Sequence, residues 1–195
     1  MDSDRIAQLR LPPDMIDFGV GQPSPSLLPL EPLKTSAESS LSGSDPSFLA
    51  YGAEQGNGFF RRALAQFLAE HYDNKIDPGE FFITAGASQG LDLICTLFTR
   101  PGDTIFVEEP SYFLALRIFA DHGLKIVSLP MDEEGFIIEA LEEKLRNRSP
   151  NFVYTIPTFH NPATTTLSAV RREHLVQLSR KYNFLIVADE VYHLL

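Results

Sequence analysis

Cysteine is nearly absent from this sequence: 195 residues contain one, Cys95. An internal disulfide is therefore impossible, and the apolar run Leu93-Ile94-Cys95-Thr96-Leu97-Phe98 reads as the setting of a packed thiol, not a reactive one. Positive charge is also scarce. Lys and Arg total 16 against 26 Asp and Glu, a formal net charge of −10, which suits a phosphate backbone poorly and argues against nucleic acid as a partner. Long apolar runs are missing too. Met1-Asp2-Ser3-Asp4 lacks the basic head of a secretory signal, and the longest aliphatic run near the other end, 184–188, is far too short to span a bilayer. A membrane partner is not expected, and the cytoplasm is the default address. There is no internal repeat. With 44% hydrophobic and 22% charged residues the chain has the make-up of a globular protein with a real core, and its length makes one domain the prior.

The first fifty residues cluster Pro23, Pro25, Pro29 and Pro32 with a Ser run from Ser36 to Ser47. They read as an arm and irregular cover over 1–50. From Gly56 to Tyr72, Phe59, Phe60, Ala63, Leu64, Phe67 and Leu68 lay one apolar stripe along a helix. Beyond it, short apolar runs at Phe81 to Thr84, Thr104 to Glu108, Lys125 to Leu129, Phe152 to Ile156 and Phe184 to Ala188 alternate with helical stretches. Those stretches are Ala87 to Phe98, Ser111 to His122, Ile137 to Arg146 and Ser168 to Tyr182, the last with Ser168 placed to cap. The pattern predicts an α/β fold with a mostly parallel sheet and crossover helices. The acidic cluster Asp132-Glu133-Glu134 reads as a solvated face.

Open parallel sheets bind ligands outside the carboxyl ends of their strands. The segments expected there are rich in polar groups: Gly86-Ala87-Ser88-Gln89-Gly90, Glu109-Pro110-Ser111-Tyr112, Thr158-Phe159-His160-Asn161-Pro162 and Asp189-Glu190-Val191-Tyr192. The first is small, polar and placed at a helix start, where free N–H groups and the helix dipole favour a phosphate; a plain strand-to-helix turn is the alternative. Asp189 ends an apolar strand, so its carboxylate is expected to meet a cation or several donors, or to cap a helix. Tyr112 and Tyr192 also read as half-buried aromatics, and Asn161 as a turn residue before Pro162. Four such coincidences at one edge favour a shared site.

Taken in order from about Asp17 to Tyr192, these segments resemble the first half of a class I/II aminotransferase of fold type I, which depends on pyridoxal 5'-phosphate. The resemblance rests on Gly21-Gln22-Pro23, Tyr51-Gly52 with Gly56 and Arg61-Arg62, Gly86 to Gly90, Glu109 to Tyr112, Asn161-Pro162 and Asp189 to Tyr192. It implies that 51–195 is the N-terminal portion of the cofactor-binding large domain, incomplete here, with the small C-terminal domain absent. It implies that Ala87, Ser88 and Gln89 hold the cofactor phosphate, Tyr112 stacks on the pyridine ring, Asp189 pairs with the ring nitrogen, and Asn161 and Tyr192 bond the phenolic oxygen. Tyr51 would reach the phosphate of a neighbouring subunit in a homodimer, and Gly21 would lie by the substrate carboxylate. The substrates implied are an amino acid and a 2-oxo acid. Two further family strands would insert between the first strand and the fourth, leaving the run at 152–156 with a bare edge.

Two departures stand out. Ala163-Thr164-Thr165-Thr166 follows Asn161-Pro162 where the family usually has Thr-Gly. The family's Schiff-base lysine lies beyond the last strand, and none of Lys34, Lys75, Lys125, Lys144 and Lys181 falls where it could stand in, so the chain is expected to stop short of that lysine. Three alternatives stay open. A catalytically inactive fragment would bind cofactor or a partner chain at most. An α/β-hydrolase would use Ser88 of Gly86-x-Ser88-x-Gly90 as its nucleophile. A DNA-binding regulator of aminotransferase type would need a basic helix-turn-helix ahead of the arm, and the chain is expected to begin too late for one.

Overall fold

The computed structural model describes Asp14, Ile16, 23–43 and 45–194. The chain divides into two compact units, Met1–Gly52 and Ala53–Leu195.

In the first unit a single turn at Pro25–Leu27 leads into helix α1, Leu30–Leu41, and a second turn follows at Pro46–Leu49. The arm and irregular cover read over 1–50 thus contains a helix that the sequence reading did not mark. Pro32 sits in its first turn, where a missing N–H costs nothing, so the proline that suggested a break is compatible with a helix start. No residue of α1 is buried.

The second unit opens with α2, Gly58–Tyr72, capped by Asn57, whose Oδ1 accepts from Phe59 N–H at 2.9 Å and Phe60 N–H at 3.1 Å. Gly56 just ahead has φ +97°, and a Cβ there would stand 2.6 Å from Ile83 Cβ, so only glycine lets the two segments approach. The expected strand at Phe81 to Thr84 does not form. Among the described residues no strand lies beside it; Ile83 N–H bonds Gln55 O at 3.0 Å instead, and Phe82 is 58% exposed. A strand needs a neighbour to share its ladder, and apolar content alone cannot supply one.

The remaining elements are α3 Ala87–Phe98, β1 Thr104–Glu109, α4 Phe113–Asp121, β2 Lys125–Asp132, β3 Gly135–Phe136, α5 Ile138–Asn147, β4 Phe152–Thr155, α6 Ala169–Tyr182 and β5 Leu185–Ala188; apart from the short β3, which the sequence did not mark, they alternate as expected. They build a five-stranded sheet in the order β3-β2-β1-β4-β5. β1 runs parallel to β2 (Thr104 beside Lys125) and to β4 (Phe106 beside Val153), and β4 runs parallel to β5 (Phe152 beside Leu185). The edge of β4 is therefore covered by β5, contrary to the bare edge expected there. β3 is antiparallel to β2, closing a hairpin through Asp132-Glu133-Glu134. Those acids are more than a solvated face. Arg171 donates to both oxygens of Asp132 at 2.6 Å and to Gly135 O and Phe136 O, pinning the hairpin to α6.

Successive residues of β1 point to opposite faces. Ile105 and Val107 join Leu91, Cys95, Phe119 and Tyr154 in one core layer, with α3 and α4; Phe106 joins Leu141, Leu145, Leu175 and Leu178 in the other, with α5 and α6. Cys95 is fully buried, the packed thiol expected, and burial, helped by the Asp92 charge, pushes its pKa up to about 11. Ser168 occupies the position before α6 but makes no side-chain capping bond. Among the described residues no helix is long and apolar enough to cross a membrane.

Candidate active site

The parallel strands end at one edge of the sheet, and there the chain encloses a cavity of about 330 Å³. The start of α3 contributes Ala85, Gly86, Ala87 and Ser88 to its wall; the segment after β1 contributes Tyr112; that after β4, Ile156 and Asn161; that after β5, Asp189, Val191 and Tyr192. Six of the nine residues expected at a shared site thus meet around one space.

Gly86 makes the α3 start possible. It takes φ +88° and ψ 169°, a conformation open essentially to glycine, and turns the chain into the helix at once. The first intrahelical bond is Gly90 N–H to Gly86 O at 3.3 Å. The N–H groups of Ala87, Ser88 and Gln89 come before it and are free of intrahelical partners, at the positive end of the helix dipole. The Gln89 side chain does not line the cavity: its Oε1 accepts from Ala85 N–H and so braces the turn from behind.

Asp189 is half-buried, one residue beyond β5, with its own N–H donating to Thr155 O at 2.9 Å. Its Oδ2 accepts from the Tyr154 hydroxyl at 2.8 Å. Among the described residues no cation meets it, so of the partners expected for this carboxylate a single neutral donor is found. Tyr154 is fully buried in β4, and burial, reinforced by the Asp189 charge, pushes its phenol far above the usual range. The phenol therefore keeps its proton and serves Asp189 as a donor. The remaining polar groups of the wall, Ser88 Oγ, the Asn161 amide and the Tyr192 hydroxyl, make no hydrogen bond among the described residues.

Tyr51 belongs to the first compact unit and is fully exposed. Gly21 lies outside the described residues. Tyr154 was not singled out by the sequence; it lies within the apolar run Phe152 to Ile156, all of whose strand residues are buried.

The profile of the family "Aminotransferase class I and II" matches residues 13–195. The chain belongs to this family.

Among its aminotransferase relatives, aromatic-amino-acid aminotransferase 1 of Thermococcus litoralis is 38% identical over 184 residues, an alignment that takes in 92% of this chain and 44% of the relative. The crystal structure of Pyrococcus horikoshii kynurenine aminotransferase, in complex with PMP, superposes with a TM-score of 0.80 at 35% identity, covering 87% of this chain and 43% of that one. LysN, the α-aminoadipate aminotransferase of Thermus thermophilus complexed with N-(5'-phosphopyridoxyl)-L-leucine, gives 0.81 at 31% identity, covering 90% and 43%. The chain thus spans less than half the length of these aminotransferases. Its fold is the corresponding part of fold type I, the architecture of pyridoxal-phosphate-dependent aminotransferases.

Proposed function

We propose that this chain is the N-terminal portion of the large domain of an aminotransferase that binds pyridoxal 5'-phosphate and moves an amino group between an amino acid and a 2-oxo acid. The observation that carries the reading is the cavity wall, where unpaired backbone N–H groups at a helix start face the same space as a carboxylate held by a buried phenol. These donors and this acceptor fit a ligand with a phosphate at one end and a basic ring nitrogen at the other.

The N–H groups of Ala87, Ser88 and Gln89, with the Ser88 hydroxyl, would hold the phosphate. Asp189, oriented by Tyr154, would keep a proton on the ring nitrogen. Tyr112 would cover one ring face, and Asn161 and Tyr192 would bond the phenolic oxygen. When bound, the cofactor supplies an electron-accepting ring that takes up charge as the substrate Cα–H bond breaks. Among the described residues that line the cavity there is no lysine, and the amine that links covalently to the cofactor and moves the Cα proton would come from outside them. Gly21 would leave room for the substrate carboxylate and Tyr51 would serve the partner's site, the working form being a cytoplasmic homodimer. The names of the relatives make aromatic amino acids and 2-aminoadipate the first donors to try.

The test is amino transfer from such donors to 2-oxoglutarate by the protein that carries this chain, with Asp189→Asn beside it. The variant should retain cofactor through its phosphate yet turn over slower by about a hundredfold, because a neutral amide cannot hold the ring proton. Turnover at the parent rate would remove Asp189 from the role, and no transfer by the parent from any donor would refute the activity.

A further inference from the structure

Just behind the cavity wall, two ionisable side chains are sealed inside the sheet. Glu108, next to last in β1, is 1% exposed, and His160, in the segment after β4, is 2% exposed. Among the described residues they are the buried carboxylate and the buried histidine, with no other of either kind. Glu108 Oε1 accepts from the Thr155 hydroxyl at 2.7 Å, and Oε2 accepts from Ile156 N–H at 2.8 Å. His160 Nε2 lies 3.0 Å from the same Oε2, a short contact off the axis of a linear hydrogen bond. Ala163 N–H donates to His160 Nδ1 at 3.1 Å. Nδ1 is therefore the accepting nitrogen, which leaves the ring proton to Nε2, beside the carboxylate at 3.0 Å and without a hydrogen-bond partner of its own.

A carboxylate and an imidazole in this position are a poor way to gain stability, since apolar side chains of the same volume would fill the space without desolvating polar groups. Their effect is geometric. The partners of Glu108 and His160 bracket the cavity: Ile156 belongs to its wall, Asn161 lies between His160 and Ala163, and Tyr112 lies four residues beyond Glu108, in the segment that leaves β1. None of these bonds reaches the start of α3.

Resting on the cofactor reading above, we propose that Glu108 and His160 form a positioning pair that fixes Asn161 and Tyr112 relative to each other for the ring of the bound cofactor, while the phosphate seat at Gly86 to Gln89 stands independently of it. The pair reads the ring end of the ligand and not the phosphate end, and that split makes it testable.

Purified protein is titrated with pyridoxamine 5'-phosphate, which carries ring and phosphate, and separately with inorganic phosphate; Glu108→Gln, His160→Leu and His160→Gln are compared with the parent after their thermal transitions are recorded. Glu108→Gln and His160→Leu should weaken pyridoxamine phosphate by about tenfold and leave inorganic phosphate within about twofold. His160→Gln, which keeps an N–H where Nε2 stood, should recover most of the loss. Equal weakening of both ligands, an unchanged affinity for both, or a His160→Gln no better than His160→Leu would overturn the proposal. If Glu108→Gln does not fold, the two His160 variants decide alone. A parent protein that takes inorganic phosphate but not pyridoxamine phosphate, or neither, would refute the cofactor reading instead. Positioning is then judged by amide hydrogen exchange: faster exchange at Asn161 and Ala163 but not at 87–89 in His160→Leu upholds it, and uniform change refutes it.

Discussion

Replacing Tyr154 by Phe removes one oxygen from a fully buried ring and leaves the ring's packing against Phe119 in place. What is lost is the 2.8 Å bond to Asp189 Oδ2. A hydrogen bond to a charged group contributes about 1.5–3 kcal/mol, and because Asp189 is only half-buried, water can partly replace the phenol, so a loss of about 1.5 kcal/mol is expected at neutral pH. The offset should not persist at high pH. Burial and the Asp189 charge raise the phenol pKa in the folded chain, so the folded form keeps its proton where the unfolded chain, with an ordinary tyrosine near about pH 10, gives it up. Above that pH the unfolded state binds fewer protons, and parent stability falls by up to about 1.4 kcal/mol per pH unit through this residue alone. The phenylalanine variant has no such proton to lose. Urea unfolding followed by circular dichroism, with parent and Tyr154→Phe measured in parallel, should show the two stabilities converging by about pH 11. A constant or widening gap would show that Tyr154 ionises normally in the fold, and a gap below about 0.3 kcal/mol at neutral pH would mean that the phenol does not support Asp189.

Gly86→Ala places a side chain at φ +88° and should destabilise by about 1–3 kcal/mol while weakening inorganic phosphate in a binding titration; an unchanged melting temperature would exclude the left-handed turn. Arg171→Ala should flatten the acid limb of a stability profile. The Arg171 hydrogen bonds hold the Asp132 carboxyl below its usual range, so their stabilisation is present above the ordinary carboxylate pKa near about 4 and is lost as pH falls through the depressed value. Parallel profiles for parent and variant would rule the pair out. Cys95, buried with its pKa pushed up to about 11, should resist iodoacetamide at pH 8 and react on unfolding at the rate of an ordinary thiol; rapid labelling of folded protein would contradict the packing described.

Where a sequence signal is local, the chain could be read closely. The bounds Ala87 to Phe98 of α3 follow from a glycine ahead of an amphipathic run, and the sheet strands follow from short apolar blocks, each of which found a partner. Phe81 to Thr84 carries the same local signal and failed because pairing is not a local property. The converse holds for α1, where serines and a proline imitate a loop although their spacing permits a helix. Ser88, Tyr112, Asn161, Asp189 and Tyr192 were legible as wall residues because topology sends every strand exit to one edge. Tyr154, Glu108 and His160 were not: the first depends on β4 lying beside β5, and the other two on β1 lying beside β4 with the following segment folded back. Gln89 adds a detail that no local pattern marks, since its side chain accepts from Ala85 N–H and braces the turn.

The strand order carries a consequence for how the sheet can be assembled on the ribosome. β2 and then β3 extend the sheet on one side of β1, β4 attaches to the other side of β1, and β5 attaches to β4. Among the described residues each strand that emerges therefore finds an edge already exposed by earlier chain, and none of these five must be threaded between two that have already met. Growth is outward from β1 in both directions, a sequence of additions that vectorial synthesis can follow without undoing earlier pairing. The carboxylate that ends up locked behind the cavity wall sits in that founding strand, so Glu108 waits unpartnered until β4 arrives. Its pairing marks the moment at which the two halves of the binding edge acquire a common frame.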